Sequence, residues 1–450
     1  MLLHSRRAGT RDRKVWYRPV ARPLAVSTSK SAIQTGGADG LAPTGRWHAL
    51  IWIAAAQVGA MSTWFSAAAV APSLAQAWRL SPRELALLTV AVQLGFVVGG
   101  LVAAISGIAD VVSARWVFVS SALAAAAFNG LLLRSGGQLG PVLALRFALG
   151  FALAGVYPTG MKLMIGWFRA ERGLAIGALV GALTLGSALP HLIAGLGATT
   201  SLPWERVIGA TSLGAVLSAG IVAAVVRPGP FATPGAQLDL GWAIRSLRDP
   251  ALRLVNVGYL GHMWELYAMW TWVPAYLLAS FRAWQPGAAP LALDRPASLA
   301  AALVIGVGAV GCIGAGLLAD RLGRTAVTTL AMGGSALSAV ATGLLFGQQP
   351  GLVVVVAAIW GISVIADSAQ FSAAVSELAE PQRVGSALAL QTALGFLLTA
   401  VSIQLLPVVQ SLAGWPAAFA VLAAGPALGV LAMLRLRARP EARQLAGGRR

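Results

Sequence analysis

Five ionisable side chains, Arg146, His191, His262, Glu265 and Asp367, fall inside long apolar runs of this 450-residue chain. Inserting such a group at mid-bilayer costs about 2.5–3.5 kcal/mol, so it is kept for charge pairing, proton transfer or solute contact. His262 and Glu265 are three residues apart, and Met269, Trp272 and Tyr276 continue their stripe at helical spacing. Trp360, Ser363, Asp367, Gln370 and Glu377 form a second stripe. Arg146, Gly150, Ala154 and Tyr157 share a face, as do Thr184, Ser187 and His191, and Gln57, Met61 and Trp64. A fixed cation at Arg146 and carboxyls at Glu265 and Asp367, with His262 or His191 beside them, suit proton uptake and charge recognition. One of the two carboxylates is expected to pair with Arg146 or a histidine. Hydrolytic chemistry is not expected: His262 to Glu265 reads H-x-x-E, not the H-E-x-x-H of a zinc protease, and no serine stands in a nucleophile motif. With one cysteine, Cys312, inside an apolar run and four histidines, the chain is expected to hold no metal and no cofactor.

The elements that must position these residues follow from composition. The chain is 57% hydrophobic and 11% charged, against about 25% charged in soluble domains. Twelve apolar runs are long enough to cross about 30 Å of hydrocarbon: 47–71, 84–108, 115–134, 140–165, 173–197, 206–226, 253–280, 298–319, 325–346, 351–376, 384–408 and 414–434. The expected fold is an all-α integral membrane protein. It has an N-terminal six-helix bundle over 47–226, a proline-rich linker over 227–252 and a C-terminal six-helix bundle over 253–434. A short amphipathic helix is expected around Leu240 to Leu247. Residues 1–46 read as a disordered basic tail and 435–450 as a second basic tail. Runs 3, 6, 9 and 12 have almost no ionisable group in mid-run and are expected to face lipid. Runs 4, 5, 7 and 10 hold nearly all of them and are expected to line a wet cavity.

The net charge of +18 is a matter of topology, not of nucleic acid. Of 33 lysines and arginines, 26 lie in one set of alternate loops and the two tails, and 6 in the opposite set. Basic residues favour the cytoplasmic side, so both termini are expected there. No apolar core follows the charges before Trp47, so the first segment is not a secretory signal.

A second kind of motif lies between runs. Gly316 to Arg324 reads G-x-x-x-D-R-x-G-R, and a worn copy at Ser106 to Arg115 keeps Asp110 and Arg115, with Asp110 lying 210 residues before Asp320. Arg172 and Arg383 open similar apolar runs at nearly the same offset. One membrane module therefore stands written twice in the same order, the mark of a rocking transporter with its site between the halves. Gly316 permits close helix approach and Gly323 a tight turn. Asp320 suits a neighbouring helix N-terminus, and Arg321 and Arg324 are able to pair with it. Such a cluster latches one state, with a weaker latch expected at Asp110 and Arg115.

The doubled motif, Arg146-x-x-x-Gly150 with Tyr157-Pro158, and WFRAERG at 167–173 resemble the major facilitator superfamily across residues 47–434. The resemblance implies helices 1, 4, 7 and 10 around a central cavity, alternating access, and coupling to a proton or another ion. WFSAAAVAPSL at 64–74 is weakly similar to bacterial nitrate/nitrite-like and cyanate-like permeases. Runs 2 and 8 lack the mid-span arginines by which nitrate porters clamp their anion, and run 5 departs from the Gly-Pro pattern of drug antiporters. The expectation is a monomeric secondary transporter in a bacterial inner membrane, moving a small polar or anionic solute, with protons or another ion as the coupling partner. The alternative is drug or metabolite efflux by proton antiport. The expected cavity residues are Gln57, Trp64, Arg146, Tyr157, His191, His262, Glu265, Asp367 and Gln370. The expected gate is Asp110, Arg115, Gly316, Asp320, Arg321, Gly323 and Arg324.

Overall fold

A backbone immersed in hydrocarbon finds no water to bond, so it must satisfy itself within helices. The computed structural model describes residues 45–106, 112–168, 171–197, 203–231, 239–289 and 292–449, and among them no strand occurs. Nine helices among the described residues are long and apolar enough to cross a membrane by length and composition. The described residues all fall within one unit, Ala42–Arg450.

The first half holds α1 (Arg46–Met61), α2 (Ser66–Ala69), α3 (Ala71–Trp78), α4 (Pro82–Ser106), α5 (Ala114–Leu131), α6 (Leu139–Leu153), α7 (Tyr157–Ile165), α8 (Arg172–Gly197) and α9 (Trp204–Ala224). The connection carries α10 (Leu240–Ser246), the short helix expected there. The second half holds α11 (Pro250–Trp284), α12 (Asp294–Gly306), α13 (Gly308–Leu322), α14 (Arg324–Leu344), α15 (Pro350–Ala366), α16 (Ser368–Leu378) and α17 (Val384–Arg437). Local chemistry sets the starts. Ser81 and Glu84 form a capping box ahead of α4. Asp239 and Asp249 cap α10 and α11 through their carboxylates. The 54-residue α17 is two helices in one, broken at Gly414, whose φ of 77° suits only glycine.

Within the first half, α4 crosses α6, α5 packs on α9, and α1 lies between α8 and α9. Within the second, α11 and α14 pack on α17, and α15 lies against α13 and α14. Two seams join the halves: α8 against α12 and α13, and α4 against α17. Glycines set the close crossings. A Cβ on Gly150 would sit 2.0 Å from the Val92 carbonyl oxygen, and one on Gly361 would sit 1.8 Å from that of Val304. Leucines of α9 (Leu213, Leu217), α14 (Leu330, Leu337) and the end of α17 (Leu428, Leu431) are exposed, as a lipid-facing surface requires.

Four readings of the sequence need correction. Run 1 is not one helix: residues 62–65 form turns between α1 and α2. Run 4 breaks at 154–156, and run 10 breaks at Asp367, between α15 and α16. The last tail is not a free basic segment, because Pro440–Gly448 folds back with Ala442 and Leu445 fully buried.

Gly361→Ala is expected to destabilise the detergent-solubilised protein by about 1–3 kcal/mol through overpacking. Gly333→Ala in α14, where an added Cβ meets nothing within 4 Å, should gain about 0.5–1 kcal/mol of helix stability. Thermal unfolding of both variants against wild type reads the difference, and equal melting temperatures would contradict the tight crossing.

Candidate functional site

The side-chain network of the first half begins with a guanidinium. Arg146 on α6 is 1% exposed and spends its donors on the broken first helix. Nη2 donates to Trp64 O at 2.5 Å, Nη1 to Thr63 O at 3.3 Å and Ser66 Oγ at 3.3 Å, and Nε to Leu88 O at 3.2 Å. Asn129 on α5 accepts from Ser66 Oγ at 2.7 Å and donates to Ile208 O, Thr211 Oγ1 and Ser212 Oγ on α9. The carbonyls freed by the turn at 62–65 thus find donors in a low-dielectric interior where an unmet carbonyl would cost about 1–3 kcal/mol. Of the two partners expected for a buried carboxylate, Arg146 meets none, while a histidine, His262, meets Asp367. The partners of Arg146 are carbonyls and neutral side chains, because α6 faces the broken end of run 1 and not the second half.

The second half holds the buried carboxylates. Glu265 on α11 accepts from Ser335 Oγ on α14 at 2.7 Å and from Trp360 Nε1 on α15 at 2.7 Å. Both of its oxygens therefore meet neutral donors. His262, one turn earlier, places Nδ1 2.8 Å from Asp367 Oδ1, with side chains 1% and 3% exposed. Neither that Oδ1 nor either His262 nitrogen has an aligned hydrogen-bond partner among the described residues, so the contact is a charge–dipole or ion contact. Asp367 stands at the joint of α15 and α16, where its side chain can reach α11.

Between the halves lies an aromatic cluster. Trp64 is 5.0 Å from Phe96, 5.8 Å from Tyr267 and 5.7 Å from Phe396 by ring centroids, and Phe65 is 5.7 Å from Trp270. These rings come from α4, α11, α17 and the turn after α1, two of them on each side of the seam at least. Buried polar atoms with no hydrogen-bond partner among the described residues include both amide atoms of Gln57 and Gln93, Nε2 of Gln391 and His191, and Nε1 of Trp64 and Trp270. Gln93 is one turn from Phe96 on α4. His191 lies two turns along α8 from Thr184, whose Oγ1 is 3.8 Å from Cys312 Sγ in the other half. Tyr157, half-buried, opens α7 at the break in run 4. Gln93, Gln391, Tyr267 and Asn129 were missed as site residues from the sequence. Their signal was an amide, phenol or carboxamide within an apolar run, the same signal that marked Gln57.

At the end bearing Arg46 and Arg437 the halves close. Gly316 on α13 approaches Gly173 on α8, and a Cβ on Gly173 would sit 3.4 Å from Asp320 Oδ2. The Asp320 carboxylate therefore faces the first turn of α8, where backbone N–H groups attract negative charge. Gly323 turns the chain with φ 91°, and Arg321 is exposed. Arg324 does not pair with Asp320. It makes a bidentate contact with Glu377, at 2.8 and 2.6 Å, and donates to Gln370 Oε1 at 2.8 Å. Gln370, expected in the cavity, is thus part of the latch region, and Glu377 joins it. Arg115 caps the end of α9 through Val222 O and Ala223 O, inside its own half. Its contact is intramodular because Val222 and Ala223 end the neighbouring helix. Asp110 lies outside the described residues.

At the opposite end a cavity of about 800 Å³ opens between the halves, with Ser73, Gln76, Thr89, Thr271, Trp272 and Asp294 among its lining. None of the nine expected cavity residues lines it.

A family profile described as Major Facilitator Superfamily matches residues 51–403. Among solved structures, a crystal structure of a single-site variant of the nucleoside transporter NupG is similar with a TM-score of 0.67, covering 87% of this chain and 99% of that one at 11% sequence identity. At that identity the likeness is one of fold. No curated protein sequence matches.

Replacing Arg146 by Gln should leave the Trp64 carbonyl without its donor and lower stability by about 1–3 kcal/mol. The expected result is a large fall in melting temperature and in monodisperse yield. A variant that folds normally but loses solute binding would instead make Arg146 a ligand anchor.

Proposed function

The chain belongs to the major facilitator superfamily, a family of multi-pass secondary transporters, and on that premise we propose that it moves a small polar solute by alternating access, coupled to protons. In this reading it is a monomer of twelve spans, with α1 to α3 as the first, α11 as the seventh, and α17 divided at Gly414 into the last two. Both termini lie on the cytoplasmic face of a bacterial inner membrane, in line with the loop charges. The closed end is then cytoplasmic and the 800 Å³ cavity outward.

The observation that supports coupling is the His262–Asp367 contact, 2.8 Å across α11 and the break in run 10. A proton taken up by Asp367 discharges the contact and frees the joint between α15 and α16. Glu265, held by Ser335 and Trp360 one turn along α11 from His262, is the second buried acid of this half. Proton transfer in such a site needs a titratable group that gains and loses its partner as the halves rock.

The solute reading rests on the unpartnered buried groups. A dry interior leaves amide groups such as Gln57, Gln93 and Gln391 without partners at a cost, unless a ligand supplies them. Aromatic faces at Trp64, Tyr267 and Trp270 add apolar walls. With the Arg146 donors taken by carbonyls, no fixed cation is offered to an anion, so an uncharged polar solute fits better than an anionic one. A second reading, efflux of an amphipathic cation by antiport, is favoured by Glu265, a buried carboxylate whose oxygens meet only neutral donors.

A thermal-shift panel of nucleosides, polyols, monocarboxylates and cationic dyes selects the solute, because a ligand of the folded state raises its melting point. In proteoliposomes, an imposed pH gradient should drive accumulation of that solute by wild type. Asp367→Asn and His262→Gln should abolish accumulation and retain solute exchange. Normal gradient-driven accumulation by both variants would sink the coupling assignment, and shifts confined to cationic dyes would move the function to efflux.

A further inference from the structure

Transport by rocking halves does not require a folded C-terminal tail, yet this chain has one. After α17 ends at Arg437, Pro440–Gly448 turns back and packs along α16. Ala442 and Leu445 are fully buried, Leu445 within the main core. Ala446, Gly447 and Gly448 follow with φ of 48°, 63° and 97°. Successive left-handed residues aim backbone N–H groups into one concavity that suits an anion. Here the anion is Glu377: Ala446 N donates to its Oε2 at 3.0 Å, opposite the bidentate Arg324. One residue beyond the turn, Arg449 donates through Nη1 to the Asp320 carbonyl.

The tail thus reaches the Glu377 carboxylate and the Asp320 backbone at the closed end. By Ala446 it fixes the end of α16, and by Arg449 the end of α13, where the Asp320 carboxylate faces the first turn of α8. An alanine in the left-handed region is strained, so the turn at 446 is maintained by its docking. We propose that residues 440–449 are an intramolecular strap that clasps Glu377 and Asp320 and holds this end of the transporter shut, its release being a control point for opening.

The single cysteine reports on that opening. Cys312 is buried on α13, and a Cβ on Gly177 of α8 would sit 3.2 Å from its carbonyl oxygen, so parting of α8 from α13 exposes it. The test is the rate of Cys312 alkylation by N-ethylmaleimide in the full-length, detergent-solubilised protein. Leu445→Asp removes the buried anchor, and Gly447→Val disfavours the left-handed turn without touching the core. Arg443→Ala, an exposed position in the same segment, is the control. Both strap variants should be alkylated roughly tenfold faster, the equivalent of one hydrogen bond to a charged group, with unchanged elution on size exclusion, and Arg443→Ala should match wild type. Wild-type labelling rates in folded strap variants would overturn the proposal. So would loss of folded protein on deleting residues 440–450, since the segment would then belong to the fold and not to a gate.

Discussion

The first half depends on one guanidinium. A helix that stops inside a membrane frees carbonyl groups that lipid cannot satisfy, and the first apolar run stops at residues 62–65. Arg146 meets Thr63 O and Trp64 O from another helix and is itself steadied by Ser66 and, through it, Asn129. The planar, forked guanidinium can serve several carbonyls at once, as a lysine ammonium cannot without losing geometry. Because the break is tolerated, Trp64 and Phe65 leave the helical path and enter the seam against Tyr267 and Trp270. The aromatic closure between the halves is therefore a consequence of a charge buried in only one of them.

The two halves solve the same problem with opposite charges. In the first, a cation satisfies acceptors left by a break. In the second, the carboxylate of Glu265 is met by donors from α14 and α15, and Asp367 stands at a break and reaches His262. The cation's partners are permanent dipoles of the backbone and of neutral side chains. The second half's carboxylates meet neutral donors at Glu265 and a histidine at Asp367. The two halves therefore bury opposite charges among different partners, although their apolar patterns repeat.

Much of this was legible in the residues, and the rest failed for a definable reason. Stripes at helical spacing identified Gln57, His191, His262, Glu265 and Asp367 as inward-facing, and all are buried. What a single chain does not reveal is which stripes meet. Of the two partners expected for a buried carboxylate, the histidine at 262 meets Asp367, whereas Arg146 meets Thr63 and Trp64, 83 and 82 residues away; the break that exposes their carbonyls is hidden because Ser62 and Thr63 read as ordinary span residues. Gln370 and Glu377 shared a stripe with Asp367, yet α16 extends past the cavity level, so both end at Arg324. Runs 3 and 9 looked empty because ionisable groups were the signal, while their contributions, Asn129 and Ser335, are neutral. The tail was read by charge alone, and Ala442 and Leu445 gave too short an apolar pattern to outweigh its arginines.

The break at Asp367 links the buried His262–Asp367 contact to the closed end of the molecule. The helix α16 begins at the aspartate that faces His262 and ends near Glu377, which Arg324 holds from α14. At about 1.5 Å per residue, ten residues of rigid helix span the distance between Asp367 and the latch. A change of partner at one end can tilt α16, because Asp367 is a joint and not a continuous helical residue. Tilting it moves Gln370 and Glu377 together, and with them the surroundings of Arg324 at the first residue of α14, next to Gly323 and the turn that follows Asp320 and Arg321. Asp320 holds α8 only while its own turn stays in place. The His262–Asp367 contact and the closed end are thus joined by one short helix, whose two ends are both held by charged side chains.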